Sequence, residues 1–376
     1  MPKAQPESLP ELRKQLDLID RELLECAQKR LAIVSKIFEA KAAEGVSLFD
    51  RERERQVFER ARHAAKEVGL DPEVAESIMQ ALVYASHGLQ QSLGQQRETK
   101  ADTRFVIVGG KGQMGIKLSS WLVEQGFAVS ALDKGDKLEP AAFSAADVVI
   151  LSVPMSEVVR VAQEVGPLLR EDALLCDINS LKSEICSAMA ESFGGEVLGL
   201  HPMFGPTVSS PRRQKVVACK VRDGERSAWM LGLLRRLGFE VIETTPEKHD
   251  RFMGVIQVLT HFSTMVMGRA LERSGVTLDE TLPFMSPIYR VELAFVGRLF
   301  AQDPELYASI EMDNKLGPEL RRVFIESAAE LKQICDEGNN VAFEKAFASI
   351  RDYFSAFSSE GMLLSDIIID TVVRQP

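Results

Sequence analysis

The sequence is poor in cysteine and has no long hydrophobic run. Its five cysteines are odd in number and scattered, with no CxxC pair, at Cys26, Cys176, Cys186, Cys219 and Cys335. We therefore expect neither a disulfide framework nor a metal site, and a cytoplasmic location fits best because the cytoplasm is reducing. No apolar stretch approaches the ~20 residues that a membrane helix requires. The first nine residues lack the basic-then-apolar order of a signal peptide, so we expect no secretion signal.

The chain also lacks an excess of basic residues. Lys and Arg number 45 against 55 Asp and Glu, which gives a net charge of −10. General nucleic-acid binding depends on cations that neutralise phosphates, so nucleic acid is a poor candidate for a partner. Hydrophobic residues make up 45% and charged residues 27% of the 376 positions, which is a soluble globular composition. A chain of this length predicts about two to three domains.

Hydrophobic periodicity divides the chain into helical, α/β and helical parts. Ser8 and Glu11 form a capping box at the start of a long first helix, and almost no strand signal follows until a polar linker. Apolar strand-like runs then alternate with helical stretches, which predicts a mostly parallel, Rossmann-like sheet covered on both faces. The expected helical domain, linker, α/β domain and second helical domain cover residues 1–96, 97–103, 104–245 and 246–376.

The first predicted strand runs directly into a glycine-rich loop, Gly109–Gly115 (GGKGQMG). Gly110, Gly112 and Gly115 satisfy GxGxxG, in which the glycines allow a tight turn, approach to a pyrophosphate and close helix packing, respectively. The next strand ends in Asp133, whose carboxylate can bind ribose hydroxyls and repel a 2′-phosphate, so NAD is favoured over NADP. The alternative is an ordinary glycine-rich turn beside a surface aspartate. The cofactor-binding candidates are Gly110, Gly112, Gln113, Met114, Gly115, Asp133, Ser152 and Pro154.

Polar side chains follow two later strands of the predicted sheet. Ser180 follows the fourth strand, and His201 follows the fifth within Leu200–Pro206 (LHPMFGP). Ligands of open parallel sheets bind at the carboxyl ends of the strands, so His201 can act as a general base. The alternative is a structural histidine that caps a strand end.

Several polar residues lie on the helical sequence that follows the α/β segment. Gln257 and His261 are four residues apart and share a helical face, which fits substrate contact and a polar stripe at a domain boundary equally well. We interpret His249 as a satisfied residue at a helix start. Arg290 and Arg298 lie on a helix that is apolar nearly all round, so we expect this helix to be buried. A buried arginine needs an anion, which favours an acidic substrate.

Charged residues also fall in the apolar seam of the first helix. Arg30 occupies a seam position, with Arg13 and Lys41 near the two ends. Buried charges need counter-ions, so this seam predicts an anionic ligand or an acidic partner. Arg53 and Glu54 can face inward from the second helix, and Ser86 and Gln90 lie one turn apart on the third. Taken singly, each of these residues can be a surface charge or a core hydrogen bond, whereas the whole set together favours a functional site.

The first segment resembles the all-helical chorismate mutases, and the remainder resembles prephenate dehydrogenases. The order resembles the bifunctional chorismate mutase/prephenate dehydrogenases of tyrosine biosynthesis, over nearly the whole chain. Lys111 departs from the family pattern, which commonly has a further glycine there, and can add a phosphate contact. The matching helical residues are Leu12, Arg13, Ile19, Asp20, Leu23, Leu24, Arg30, Lys41, Asp50–Glu54, Ser86 and Gln90. The matching dehydrogenase motifs are Val106–Gly115, Ser152–Pro154, Ser180–Lys182, Leu200–Pro206, His249–Asp250 and Ser286–Gln302.

The resemblance implies roles for residues of the mutase segment. The reaction rearranges chorismate to prephenate without a nucleophile, and it needs clamped carboxylates and stabilised charge at the ether oxygen. The Arg13 counterpart in this family reaches in from the other subunit, which implies a homodimer. The resemblance assigns the carboxylates to Arg13, Arg30 and Arg53, the ether oxygen to Lys41 and Gln90, and the hydroxyl and pyruvyl side to Asp50, Glu54 and Ser86.

The resemblance also implies an NAD-dependent oxidative decarboxylation of prephenate to 4-hydroxyphenylpyruvate. His201 then accepts a hydrogen bond from the ring hydroxyl, and Ser180 orients that hydroxyl or His201. Arg298, and less strongly Arg290, binds a prephenate carboxylate, while Gln257 and His261 line the pocket. The last helical segment forms much of a dimer interface, and tyrosine is the expected feedback inhibitor.

Four alternative functions remain open from the sequence. Arogenate dehydrogenases share the fold and the histidine, and the mutase-like segment can be inactive and regulatory. A β-hydroxyacid dehydrogenase can carry a similar glycine loop, but it leaves the N-terminal arginine seam unexplained. A non-enzymatic NAD sensor with a dimerisation coiled coil is disfavoured by Arg30, which weakens such a coil.

Overall fold

The computed structural model describes residues 8–44, 51–95 and 103–373. The first segment is all helical, as predicted. Ser8 N–H and Oγ both donate to Glu11 at the start of the first helix, and Asp71 accepts from the Glu73 N–H at the start of the third. The three helices are α1 (Leu9–Glu44), α2 (Arg51–Val68) and α3 (Pro72–Gln95).

The seam of α1 is covered along only part of its length. α1 and α2 both pack against α3, and Val34 and Phe38 in the second half of α1 are buried. In the first half, Leu9, Leu16 and Leu23 are each more than half exposed, at 61%, 59% and 58%. Burying such a stripe is what stabilises a long amphipathic helix, so this half of α1 is suited to packing against another surface.

A seven-stranded sheet forms the centre of the second segment, in the order β2-β1-β3-β4-β5-β6-β7. All neighbouring strands are parallel except β5 and β6. The strands are β1 (Arg104–Val108), β2 (Ala128–Leu132), β3 (Val148–Leu151), β4 (Leu174–Asp177), β5 (Glu196–Pro202), β6 (Lys215–Arg222) and β7 (Glu240–Thr244). The helices are α4 (Gln113–Glu124), α5 (Pro140–Ser144), α6 (Met155–Val165), α7 (Ser183–Ser192) and α8 (Glu225–Arg236).

Both faces of this sheet are buried at its central strands. Phe105 and Ile107 point to one side of β1, into a cluster with Trp121 of α4. Val106 and Val108 point to the other side, into a cluster with Val158 of α6. Side chains alternate between the faces of a strand, so a strand buried on both faces reads as a continuous apolar run. The predicted two-sided α/β arrangement is confirmed.

The third segment is helical, as predicted, and a π-helical stretch at Gly254–Leu259 separates its first two helices. Among the described helices of the chain, none has the length and apolar character needed to cross a membrane. The helices are α9 (Pro246–Met253), α10 (Thr260–Arg273), α11 (Leu278–Thr281), α12 (Pro287–Phe300), α13 (Pro304–Asp313), α14 (Gly317–Asp336), α15 (Asn340–Tyr353) and α16 (Ser358–Val373).

The expectation that the helix with Arg290 and Arg298 is buried is wrong for a single chain. Only Leu299 of α12 is buried, whereas Phe295 and Phe300 are 54% and 57% exposed, and both arginines are exposed. α12 packs against α10 and α16, which cover part of its circumference. An apolar surface of this extent is typical of a contact with another subunit.

Candidate active sites

The glycine loop begins at the carboxyl end of β1, where Gly109 and not Gly110 makes the tight turn. Gly109 has φ of +81°, and a Cβ there would lie 2.3 Å from the Ser152 carbonyl oxygen. The assignment of the turn to Gly110 is therefore wrong. A Cβ on Gly110 would lie 2.7 Å from the Ala131 Cβ, so Gly110 lets the loop pass close to β2. Only glycine combines a positive φ with such close approach.

The start of α4 fits an anionic ligand. Gly115 lies against the loop so closely that a Cβ would be 2.4 Å from the Gly109 carbonyl oxygen, which confirms its predicted packing role. Gly112 is the N-cap of α4 and supplies no side-chain cap, and Gln113 and Met114 begin the first turn. Backbone N–H groups and the helix dipole at such a terminus favour a phosphate group.

Asp133 follows β2 and lies beside this loop. Its Oδ2 accepts from the Lys111 N–H at 3.0 Å, and its Oδ1 accepts from the Lys134 N–H at 2.8 Å. Ser152 and Pro154 follow β3, so the predicted cofactor residues meet at the carboxyl ends of β1, β2 and β3. The strand order changes direction at β1, which is where ligands bind in open α/β sheets. The glycine loop is too tightly packed at Gly109, Gly110 and Gly115 for a Cβ, and the start of α4 has no side-chain cap. Both features fit the pyrophosphate of a dinucleotide.

Lys111 contacts a carboxylate. Its Nζ lies 2.7 Å from Asp136 Oδ2, and Asp136 also accepts from the Asp133 N–H. This hydrogen bond holds the pKa of Lys111 above its ordinary value, although partial desolvation lowers it. The phosphate contact considered for this side chain is therefore replaced by an ion pair in the structure.

His201 lies inside β5, whereas we expected it to follow that strand. Antiparallel pairing with β6 extends β5 to Pro202, with His201 opposite Val217. The imidazole is 3% exposed. Its Nδ1 lies 2.9 Å from His249 Nε2, and its Nε2 lies 3.4 Å from Gln257 Nε2.

His249 is a partner of His201, which corrects its interpretation as a simple helix-start residue. It does lie in the first turns of α9, but its side chain is buried and its Nδ1 is 2.8 Å from Asp250 Oδ1. The two carboxylate oxygens of Asp250 also accept from the backbone N–H groups of Lys182 and Ser183, each at 2.8 Å. The adjacent His-Asp pair directly after the last strand was the available sequence signal.

This chain of hydrogen bonds selects the tautomer of His201. The Asp250 carboxylate can only accept, so His249 carries its proton on Nδ1 and presents a lone pair at Nε2. His201 must then donate through Nδ1–H, which leaves its Nε2 as an acceptor. The Gln257 amide nitrogen beside that Nε2 is a donor, which agrees with this assignment.

Burial determines the charge of His201. Desolvation, reinforced by His249 and the Lys182 cation, holds the pKa of His201 well below its ordinary value of about 6.5. Burial alone would raise the pKa of Asp250, but hydrogen bonds from His249, Ser183 and Lys182 outweigh it and hold that pKa low. At neutral pH His201 is therefore a neutral imidazole, which is linked through His249 to the Asp250 carboxylate.

A buried ion pair supports the loop that carries Ser180. Lys182 and Asp177 are both fully buried, and Lys182 Nζ bonds to Asp177 Oδ2 and to the Leu200 carbonyl oxygen. Asn179 donates to the Val153 carbonyl oxygen at 2.9 Å. Ser180, which is half-buried, is thus held between two fixed residues at the carboxyl end of β4. Burying a charged pair at zero exposure is costly, the more so because Asp177 Oδ1 has no hydrogen-bond partner among the described residues.

The remaining predicted dehydrogenase residues divide between two places. The His261 ring lies 4.9 Å edge-to-face from Tyr307, and burial lowers the pKa of His261. Arg298 points towards Gly205, where a Cβ would lie 3.8 Å from its Nη2. Arg290 Nη1 instead lies 3.4 Å from the Val372 carbonyl oxygen of α16. Arg298 is therefore the arginine directed at the loop after His201.

Arg30 and Ser86 are brought together in the helical segment. Arg30 is half-buried, and its Nη1 donates to Ser86 Oγ and to the Leu82 carbonyl oxygen, the latter at 2.9 Å. Burial lowers the pKa of Arg30. Ser86 is 6% exposed. These hydrogen-bond partners are uncharged, so the guanidinium retains its capacity for an anion.

The other mutase candidates are spread over α1 and α2. Lys41 and Glu54 are half-buried, whereas Arg53 is exposed in the single chain and donates to Gln56 at 3.4 Å. Arg13 is exposed on the open half of α1. At 1.5 Å per residue, Arg13 and Arg30 are about 25 Å apart along the helix, so one chain cannot bring both to one small ligand. Asp50 and the side chain of Gln90 lie outside the described residues.

Three family models match the chain in the expected order. Residues 12–91 match chorismate mutase type II, residues 114–218 match the nucleotide-binding domain of prephenate dehydrogenase, and residues 245–349 match its dimerization domain.

Similar proteins cover almost the full length of the chain. The T-protein of Haemophilus influenzae is 35% identical over 94% of both chains, and that of Enterobacter agglomerans is 36% identical over 92% of this chain and 93% of its own. Among solved structures, Aquifex aeolicus prephenate dehydrogenase with hydroxyphenyl propionate and NAD⁺ covers 71% of this chain and all of its own, at 20% identity and a TM-score of 0.53. Synechocystis arogenate dehydrogenase covers 68% of this chain and all of its own, at 17% identity and a TM-score of 0.55. Because the sequence identity to both structures is low, these two likenesses concern the fold alone. The chain belongs to the T-protein family, the bifunctional enzymes of tyrosine biosynthesis that join a chorismate mutase to an NAD-dependent prephenate dehydrogenase.

Proposed function

We propose that His201 is the hydrogen-bond acceptor and base of the dehydrogenase site, and that His249 and Asp250 hold it in the tautomer that this role requires. The observation that carries the proposal is the buried chain His201–His249–Asp250, with contacts of 2.9 and 2.8 Å. It leaves one nitrogen of a neutral imidazole as an acceptor at the carboxyl end of the sheet. This arrangement follows the general logic of a base oriented by a third group.

The reaction makes specific demands on that nitrogen. Prephenate loses a hydride from the ring carbon that bears the hydroxyl, and loss of CO₂ then makes the ring aromatic. NAD⁺, when bound, supplies the hydride acceptor. As the hydride leaves, positive charge develops on the carbon and the hydroxyl becomes acidic, so a strong acceptor stabilises the transition state. His201 Nε2 takes up this hydrogen bond or the proton itself, and Asp250 stabilises the resulting charge through His249.

The neighbouring residues position prephenate. Arg298, which points to Gly205 in the loop after His201, binds a carboxylate, since a guanidinium binds carboxylates in a bidentate manner. Ser180 orients the hydroxyl, and Gln257 and His261 line the opposite wall. Arg290 is assigned a lesser role, because its guanidinium is directed at α16.

The mutase site is a helical seam completed by a second copy of the chain. Arg30 and Arg53 from one subunit and Arg13 from the other hold the carboxylates of chorismate, while Lys41 and Gln90 meet the ether oxygen. Asp50, Glu54 and Ser86 meet the hydroxyl and pyruvyl side. Two features of α1 support a homodimer. The exposed stripe on its first half offers a surface for a partner, and its length separates Arg13 from Arg30 of the same chain. Arg13 of one chain can therefore share a site only with Arg30 of the partner chain.

The remaining proposals concern boundaries, compartment and regulation. The domains run over residues 1–96, 104–245 and 246–376, with a linker at 97–103. The five cysteines are free, which supports the cytoplasm as the compartment. Tyrosine is the proposed feedback inhibitor, which is carried over from the family resemblance.

His201→Asn tests the central role. Asparagine offers no comparable base, so we expect dehydrogenase kcat to fall roughly 10²–10⁴-fold. The measurement is NADH formation from prephenate, with NAD⁺ binding measured separately by fluorescence titration. The mutase rate of the same variant serves as the internal control for folding. Normal NADH formation by the folded variant would refute the assignment.

A further inference from the structure

A compact polar corner lies where the glycine loop meets the end of β2. The Lys111 N–H donates to Asp133, Lys111 Nζ pairs with Asp136 at 2.7 Å, and the Asp133 N–H donates to Asp136 at 2.8 Å. The three residues therefore form a closed ring of hydrogen bonds. Lys134 is the next residue along and donates its N–H to Asp133.

This ring determines which charges face an adenosine ribose bound at Asp133. A 2′-phosphate placed there would carry about two negative charges beside two carboxylates, so repulsion would be strong. Lys111 is a cation in the glycine loop that could offset this repulsion. In the structure its ammonium group is neutralised by Asp136, whose carboxylate is itself fixed by a backbone N–H.

We propose that Asp136 is a specificity-determining residue for the cofactor, because it holds Lys111 in the ion pair and so denies NADP the cation that would accept its 2′-phosphate. Asp133 and Asp136 then act together, one through the ribose hydroxyls and the other through Lys111. The proposal rests on the predicted role of Asp133 in binding the ribose hydroxyls of the cofactor. A surface ion pair that only stabilises the loop would leave cofactor choice unchanged when removed.

The experiment measures dissociation constants of NADP⁺ and NAD⁺ by fluorescence titration for the full chain and three variants. Asp136→Asn removes the charge and keeps the shape, so we expect the ratio of the NADP⁺ to the NAD⁺ constant to fall about tenfold. Asp136→Asn combined with Lys111→Ala should bring that ratio back close to the wild-type value. Retained NAD⁺ binding by the Asp136 variants reports that their α/β domain is folded.

Two results would overturn the proposal. The ratio could stay unchanged in Asp136→Asn, or it could fall and remain low after Lys111 is also removed. Asp133→Asn separates this failure from failure of the cofactor site itself, since it should weaken NAD⁺ binding by loss of ribose hydrogen bonds. If Asp133→Asn binds NAD⁺ as tightly as the wild type, the ribose does not lie at this corner, and both assignments are wrong.

Discussion

His201 owes its proposed chemistry to residues that lie about 50 positions away in the sequence. The sequence singles out His201 because it follows an apolar run, where ligands of parallel sheets bind, and the structure places it beside Gln257, another predicted residue. The His-Asp pair was a signal in the sequence, but the contact of His249 with His201 could not be derived from it, since that contact depends on α9 packing against α7 and β6. Long-range hydrogen bonds of this kind leave no periodic signal in the sequence.

Asp250→Asn tests the orienting chain at the scale of one residue. An amide can donate to His249 Nδ1 and so allow the opposite tautomer of both histidines, which would put a proton on His201 Nε2. We expect dehydrogenase kcat to fall by about 10²–10⁴-fold, which is the usual contribution of a general base to the rate. The affinity for NAD⁺ should change little. Steady-state kinetics with prephenate measure the effect, and the mutase rate is the control. A change in KM alone would contradict an orienting role.

At the scale of elements, the ends of β1 and β2 were predicted better than the end of β5. Gly109 directly follows the apolar run of β1 and Asp133 directly follows that of β2, so each of these two ends is marked in the sequence. β5 continues to Pro202 through pairing with β6, which a local pattern does not reveal. The same limit explains the turn at Gly109, since GxGxxG identifies the loop but does not say which glycine has a positive φ.

Gly109→Ala tests the glycine loop as an element. Its φ of +81° and the 2.3 Å approach to Ser152 should together cost about 2–4 kcal/mol of unfolding free energy and weaken NAD⁺ binding. Gly126→Ala is the matched control, since Gly126 has φ of +83° but nothing within 4 Å of a Cβ. Denaturant unfolding and NAD⁺ titration measure both variants. Equal losses for the two would mean that the close approach contributes nothing.

At the scale of the whole molecule, the order of helical, α/β and helical segments was predictable, but the burial of their surfaces was not. Periodicity marks which face of a helix is apolar, and it does not say whether the same chain or another covers that face. The exposed first half of α1 and the exposed phenylalanines of α12 are the two clear cases. Both exposed surfaces are explained if a second copy of the chain covers them in a dimer.

Mixing two inactive variants tests the shared mutase site. Arg13→Ala and Arg30→Ala should each abolish most mutase activity, because each removes a carboxylate contact from every site. In a heterodimer of the two, one site regains both arginines and the other loses both. After subunit exchange we therefore expect about a quarter of the wild-type rate, measured by chorismate consumption. No recovery, with exchange shown by mass-tagged subunits, would place both arginines on one chain.

The most direct test of the account is the tautomer and charge of His201, read by ¹⁵N NMR of histidine-labelled protein across a pH titration. The account predicts that His201 stays neutral well below pH 6.5, with an unprotonated Nε2 and a proton on Nδ1. Its depressed pKa also means that the folded state loses stability on acidification, because the unfolded chain takes up a proton that the folded chain does not. His201→Asn assigns the signal by its absence. A His201 with its proton on Nε2, or one that titrates at its ordinary pKa, would contradict the proposed catalytic role.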